Sequence, residues 1–201
     1  MIRILLAEDQ AMVRGALAAL LSLETDMKIV SEVGRGDEVV PAALKTLPDV
    51  ALLDIEMPGL DGISAAATLH HELPACKILI LTTFGRPGYL RKAMENGVVG
   101  FLLKEAPSAH LADAIRRAVA GERVVDPDLA LAALSEGSNP LTEREREILA
   151  AATRGDPIVM IAQSLFLSEG TVRNYLSIAI QKLGAHNRTE AAHIAQEKGW
   201  L

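Results

Sequence analysis

The sequence predicts an α/β protein, a doubly wound parallel five-stranded sheet, followed by a smaller all-α segment of four helices. Three observations carry that expectation. Through the first 121 residues, five short apolar runs alternate with stretches of helical periodicity. Several runs are apolar at nearly every position, as parallel strands covered on both faces are. After Pro140 no strand pattern returns.

The strand-like runs are Ile2–Ala7, Lys28–Gly34, Val50–Leu53, Lys77–Thr82 and Val99–Leu102. Helical patterns follow them near Gln10–Ser22, Asp37–Thr46, Asp61–His71, Arg86–Asn96 and Ser108–Ala120. Residues 122–140, ERVVDPDLALAALSEGSNP, hold two prolines, a Gly-Ser-Asn cluster and one short helical stretch, so they read as a linker between domains 1–121 and 141–201. The four later helices are expected at Thr142–Thr153, Pro157–Leu165, Glu169–Lys182 and Thr189–Lys198. Thr142 with Glu145 three residues on forms a capping box. Asp156-Pro157 reads as an N-cap with proline at the first helical position, and Ser168 caps the third helix. Val172, Leu176, Ile180 and Leu183 recur at helical spacing and are expected in the core.

Half the 201 residues are hydrophobic but only 3% are aromatic, so the cores must be aliphatic. One cysteine, Cys76, excludes an internal disulfide and reads as core filler. The first apolar run is too short for a signal peptide, and no run approaches the roughly 18 residues of a membrane span. A cytoplasmic location and no membrane partner are expected. The net charge of −6 divides unevenly: −3 over 1–121, −3 over 122–140 and zero over 141–201.

Chemistry gathers at the strand ends. Ile2–Asp9 reads IRILLAED, an apolar strand that runs into two adjacent acids, and Val50-Ala-Leu-Leu-Asp54 repeats the device. Like charges repel and ions resist burial, so three carboxylates at one sheet edge require a cation. The fourth strand ends at Thr82 and the fifth runs into Lys104. Mg²⁺ takes a few carboxylate oxygens and keeps waters. With a nucleophilic Asp54, a hydroxyl and a lysine, such an ion makes a phosphoryl-transfer site.

AEDQ, LLDIEMPGLDG, LTTF and GFLLKEAP resemble the receiver domain of two-component response regulators, and the resemblance covers residues 1–121. It implies the flavodoxin-like strand order 2-1-3-4-5. It also implies that Asp54 accepts phosphate from a sensor histidine kinase and that Glu8 and Asp9 hold Mg²⁺ with Asp54. The carbonyl of Glu56 would be a further ligand. Lys104 would pair with the phosphoryl group, Thr82 would hydrogen-bond it, and Phe101 would be the switch aromatic that follows. An aspartyl-phosphate phosphatase would instead place two aspartates around one residue, where this chain has Asp54-Ile55-Glu56 and no cap-like insertion. The chain is therefore not expected to be an enzyme.

Residues Leu141–Ala192 resemble the four-helix LuxR-type helix-turn-helix domain of the NarL/FixJ class, through LTEREREIL, LSEGTVRNY and IQKLGAHNRTEA. Ser168 would cap a helix that enters the major groove by its N-terminal end. Arg173 and Asn174 are the natural base readers, and Ser177 lies one turn beyond Arg173. Thr171, Tyr175 and Lys182 suit phosphates. One departure is Ile158-Val159-Met160, apolar where the class is polar and basic. The neutral charge predicts weak binding by one copy, so a homodimer formed on phosphorylation is expected to grip double-stranded promoter DNA. RNA polymerase enters as a further candidate partner. Met12, Ala16, Leu111 and Ile115 are candidates for the pairing surface. Two alternatives stand beside this reading: a constitutive dimeric transcription factor with a non-signalling receiver, and a helical bundle that only dimerises.

Overall fold

The computed structural model describes residues 1–83, 87–105, 108–127, 129–131 and 139–201, and the chain divides into two units. Phe84 of LTTF, Ala106-Pro107 of GFLLKEAP and most of the expected linker helix lie outside the described residues.

The first unit runs β1 (Ile2–Ala7), α1 (Ala11–Ser22), β2 (Met27–Val33), a 3-10 turn at Gly36–Glu38, α2 (Val39–Thr46), β3 (Val50–Asp54) and α3 (Gly62–Glu72). It continues with β4 (Lys77–Thr82), α4 (Pro87–Glu95), β5 (Gly100–Leu103), α5 (Ser108–Val119) and β6 (Val124–Val125). All pairings are parallel, in the order β2-β1-β3-β4-β5-β6. Because side chains alternate along a strand, one face buries Ile4, Leu6, Val50, Leu52, Leu79 and Leu81. These cluster with Leu21 of α1 and Leu111, Ala114, Ile115 and Ala118 of α5. The intervening Leu5, Ala51, Leu53, Ile78, Ile80 and Phe101 are equally buried, on the face that carries α2 and α3. Strands buried on both sides explain why the runs carry almost no polar residues.

Three expectations need correction here. The sheet has six strands, not five: Val124 and Val125 pair with Gly100 and Phe101 along the edge of β5. Two valines are too short a run for periodicity to register, so the segment read as linker. Leu111 and Ile115 are core residues under α5 and offer no pairing surface, whereas Met12 and Ala16 on α1 are exposed. Asp156 is not a helix cap.

The last point concerns the second unit, which holds α6 (Glu143–Thr153), α7 (Ile158–Ser164), α8 (Glu169–Lys182) and α9 (Arg188–Glu197). Pro157 has ψ 150°, outside the helix, so it occupies the cap position itself. Asp156 instead pairs with Arg154 at 3.3 Å. Two other starts are as expected: Thr142 and Glu145 close their capping box, and Ser168 Oγ accepts from the Thr171 N–H at 3.1 Å. The last helix starts one residue earlier than expected, at Arg188, capped by Asn187. Ile148, Leu149, Ile161, Val172, Leu176 and Ala179 form the core, with Ile180, Leu183 and Trp200 packed against it. Among the described residues, no helix is long and apolar enough to cross a membrane.

Candidate functional site

Strand register assembles the first site one step at a time. Ala7 lies opposite Leu53, so the residues that follow, Glu8 and Asp54, come side by side at the carboxyl edge. Asp54 lies opposite Leu81, which puts Thr82 one residue beyond it. Thr82 lies opposite Leu103, and Lys104 comes next, its N–H donating to the Thr82 carbonyl at 2.8 Å. Four neighbouring strands thus present Glu8, Asp54, Thr82 and Lys104 at one edge, where open α/β sheets bind their ligands.

The ammonium of Lys104 sits between two buried carboxylates, 2.6 Å from Glu8 Oε2 and 3.0 Å from Asp54 Oδ2. Asp54 Oδ1 accepts from the Ile55 N–H at 2.8 Å. Carboxylate oxygens of Glu8, Asp9 and Asp54 all lie within 4.8 Å of one another, and Asp9 is exposed. Burial pushes the Glu8 carboxyl above its usual range; the Asp54 charge adds to this, and Lys104 only partly offsets it. Burial works against the Lys104 ammonium, but its bonds to Glu8 and Asp54 win and raise its pKa. Among the described residues one lysine therefore faces three acids, and the cluster carries surplus negative charge. That donor set of hard oxygens, two buried and one open to water, fits a divalent cation such as Mg²⁺.

The loops around the cluster are built for close approach. Gly62 begins α3 against the Asp54 backbone, where a Cβ would come within 1.8 Å of the Asp54 carbonyl oxygen. Asp61 in the same LDG segment is structural: its Oδ1 accepts from the Ile63 and Ser64 N–H groups at 3.0 and 2.9 Å. Gly59 has φ 82°, a conformation glycine adopts without penalty. Glu56 lies exposed in this loop. Thr82 is buried at its strand end, and Phe101 is fully buried on β5 beside Ile80 and Val125. A residue missing from the expected set is Arg14 of α1, whose guanidinium donates to the Glu8 carbonyl and so ties the acid-bearing loop to the helix. No local pattern announces that contact. Cys76 is buried, and burial pushes its thiol up to about 12, so it is inert.

In the second unit, α8 presents Arg173, Asn174 and Ser177 to solvent, with Val172 and Leu176 beneath them. Arg173 Nη2 lies 2.6 Å from Glu169 Oε2, one turn earlier. The Thr171 hydroxyl shares a 2.8 Å bond with Ser168 Oγ, and Tyr175 is packed in part against the core. Lys182 is turned inward, its ammonium 2.8 and 3.0 Å from the two Glu145 oxygens.

A carboxylate cluster at the edge of a parallel sheet, joined to a helix-turn-helix unit, defines a signal-responsive transcription regulator. Residues 4–116 match the response regulator receiver domain and residues 139–195 the luxR family of bacterial regulatory proteins. The chain is 50% identical to the transcriptional regulatory protein YvfU and 48% identical to the transcriptional regulatory protein DesR, both of Bacillus subtilis strain 168, over the full length of each pair. A solved relative, the response regulator ChrA of a heme-sensing two-component system, superposes with a TM-score of 0.60 at 34% identity, covering 100% of this chain and 98% of its own. The chain belongs to the LuxR-type response regulators, the two-component transcriptional regulators with a receiver and a helix-turn-helix DNA-binding domain.

Proposed function

We propose that Asp54 accepts phosphate from a sensor histidine kinase and that the phosphorylated protein pairs as a homodimer on promoter DNA. The observation that supports this most is the surplus of acid over base around Asp54 among the described residues: Glu8 and Asp9 beside it, and Lys104 opposite. Glu8, Asp9 and Asp54, with the Glu56 carbonyl, are the residues that would hold Mg²⁺, which when bound neutralises charge on phosphoryl oxygens.

The chain's own groups do the rest. An Asp54 carboxylate oxygen forms the bond to phosphorus while the phosphorus–nitrogen bond of a phosphohistidine donor breaks, its electron pair staying on the imidazole. Lys104, already between Glu8 and Asp54, pairs with the incoming phosphoryl oxygens and holds the group in place. The Thr82 hydroxyl then turns to the phosphoryl group, and the change at β4 is passed to Phe101 on β5. Phosphate shifts this equilibrium only by the contacts it makes in one state and lacks in the other. Met12 and Ala16 on the exposed side of α1 belong to the pairing surface.

On DNA, Arg173 and Asn174 read base edges, Ser177 reaches a third, and Thr171 and Tyr175 take phosphates. Lys182 was the third residue expected at phosphates. It also pairs with Glu145, a contact that holds α8 against α6. The domains of this reading are 1–121 and 141–201, with 122–140 following the first and adding β6 to its sheet, and the protein works in the cytoplasm, where kinase and promoter meet.

The test is sedimentation of the wild type and Asp54→Ala, each in Mg²⁺ with or without beryllofluoride or acetyl phosphate. A shift to dimer in the wild type alone is expected. Equal behaviour of the two proteins would make the receiver a non-signalling domain.

A further inference from the structure

Phe166 is the turn residue between α7 and α8, and it is unusual twice over. It is 95% exposed, and its φ is 55°, in the left-handed region. Aromatic rings gain most from burial, and a bulky residue at positive φ is a true outlier. Asparagine or glycine would hold the same turn without a ring in water. The core makes no use of it: Leu165 and Leu167 on either side pack inward, and Phe166 does not. Strain and exposure carried by one residue point to a role outside the unit.

Position indicates what the ring meets. Phe166 precedes Ser168, the N-cap of α8, by two residues, so its Cα lies within about 7 Å of the cap's. In a helix-turn-helix the N-terminal end of the second helix is the end that enters the major groove, while the first helix crosses the backbone. Here that first helix carries Val159 and Met160 in its first turn, both exposed and neither able to hold a phosphate. The unit's seven cations are balanced by seven acids, and four of them, Arg144, Arg154, Arg173 and Lys182, form ion pairs within it. In a unit of zero net charge, binding draws a larger share from non-ionic contacts.

We propose that Phe166 is a DNA-contacting residue, its ring packing against thymine methyls or deoxyribose carbons at the rim of the groove that α8 enters. Apolar side chains recognise the thymine methyl in this way. The proposal rests on α8 being the recognition helix, as read above.

The test uses the full-length protein and a duplex that the wild type enriches from a randomised pool. Phe166→Asn keeps the turn, because asparagine tolerates positive φ, and an unchanged or higher Tm verifies the fold. Its affinity for the duplex is expected to fall about tenfold, the size of one lost base contact. Its salt slope stays that of the wild type, since no charge is removed. Deoxyuridine in place of thymidine divides the two sources. Weakening of the wild type but not of Phe166→Asn assigns the methyl group, and a uracil-insensitive loss in Phe166→Asn assigns deoxyribose. Arg173→Ala keeps the two readings apart. If Arg173→Ala loses affinity and Phe166→Asn does not, the ring is no DNA contact and its exposure serves a protein partner. If neither loses affinity, the recognition-helix reading falls and takes the proposal with it.

Discussion

In the α/β unit Glu8 is 1% exposed and accepts a bond from Lys104; in the helical unit Glu145 is 4% exposed and accepts one from Lys182. The two carboxylates are alike in burial and in having a lysine partner, yet they shift in opposite directions. Burial lifts Glu8 above its usual range, and the neighbouring Asp54 charge lifts it further because that acid shares the same lysine. Burial lifts Glu145 too, but a lysine of its own and the hydrogen bonds of Thr142 outweigh burial and hold it below the usual range. Matched charge makes a structural joint. Unmatched charge makes a binding site, because the cheapest way to relieve the surplus is a cation from solution.

The largest effect separates chemistry from architecture. Asp54→Asn is expected to abolish labelling by acetyl phosphate, read by intact mass, whereas Lys182→Met labels like the wild type. Label found on another carboxylate of the Asp54 variant would break the distinction. Next comes the shared lysine. Lys104→Met leaves Glu8 and Asp54 facing each other and is expected to destabilise the α/β unit by about 3–5 kcal/mol, as loss of one partner of a buried pair does. Mg²⁺ should restore part of this by binding the folded state. Asp9→Asn, at an exposed position, should change metal-free stability by less than about 0.5 kcal/mol yet remove most of the Mg²⁺ gain. Denaturant titrations with and without the ion measure both, and an ion-insensitive wild type would refute the surplus-charge account.

Lys182→Met is expected to cost the helical unit less, about 1–3 kcal/mol, because the lysine side chain is 34% exposed and water screens the pair. The chain's one tryptophan, Trp200, belongs to this unit and reports its unfolding by fluorescence. The pH dependence has a definite sign. A carboxyl depressed in the folded state stabilises fully above its ordinary value of 4.5 and loses that contribution as pH falls through the folded value below it. Acid should therefore weaken the wild-type helical unit below about pH 4.5, and Lys182→Met should flatten the dependence. A small effect within the helical unit is expected of Thr142→Ala. It removes one arm of the capping box but leaves Lys182 on Glu145, and a loss of about 1 kcal/mol is expected in the same fluorescence melt.

The receiver site was legible because its parts lie at strand ends. Once IRILLA and VALLD are adjacent parallel strands, register alone brings Glu8 beside Asp54, and the same step repeated gives Thr82 and Lys104. The caps at Thr142 and Ser168 were legible for a similar reason, since each is closed by a group three residues away. The pairing of Lys182 was not legible because its partner lies 37 positions earlier, and no pattern within its own helix names Glu145. Leu111 and Ile115 show the complementary difficulty. Periodicity identifies an apolar stripe on a helix but not whether a sheet or a second subunit covers it.

By itself the sequence determined the alternation of strand and helix, the acids that end the strands and the caps that start the helices. Each is written within a few residues, at the range over which backbone periodicity and capping bonds act. Only the tertiary structure decided which lysine neutralises which acid, that two valines extend the sheet, and that Phe166 stands in solvent at a left-handed turn. Those outcomes depend on packing between segments distant in the chain, where burial and charge are set by neighbours that no local pattern names.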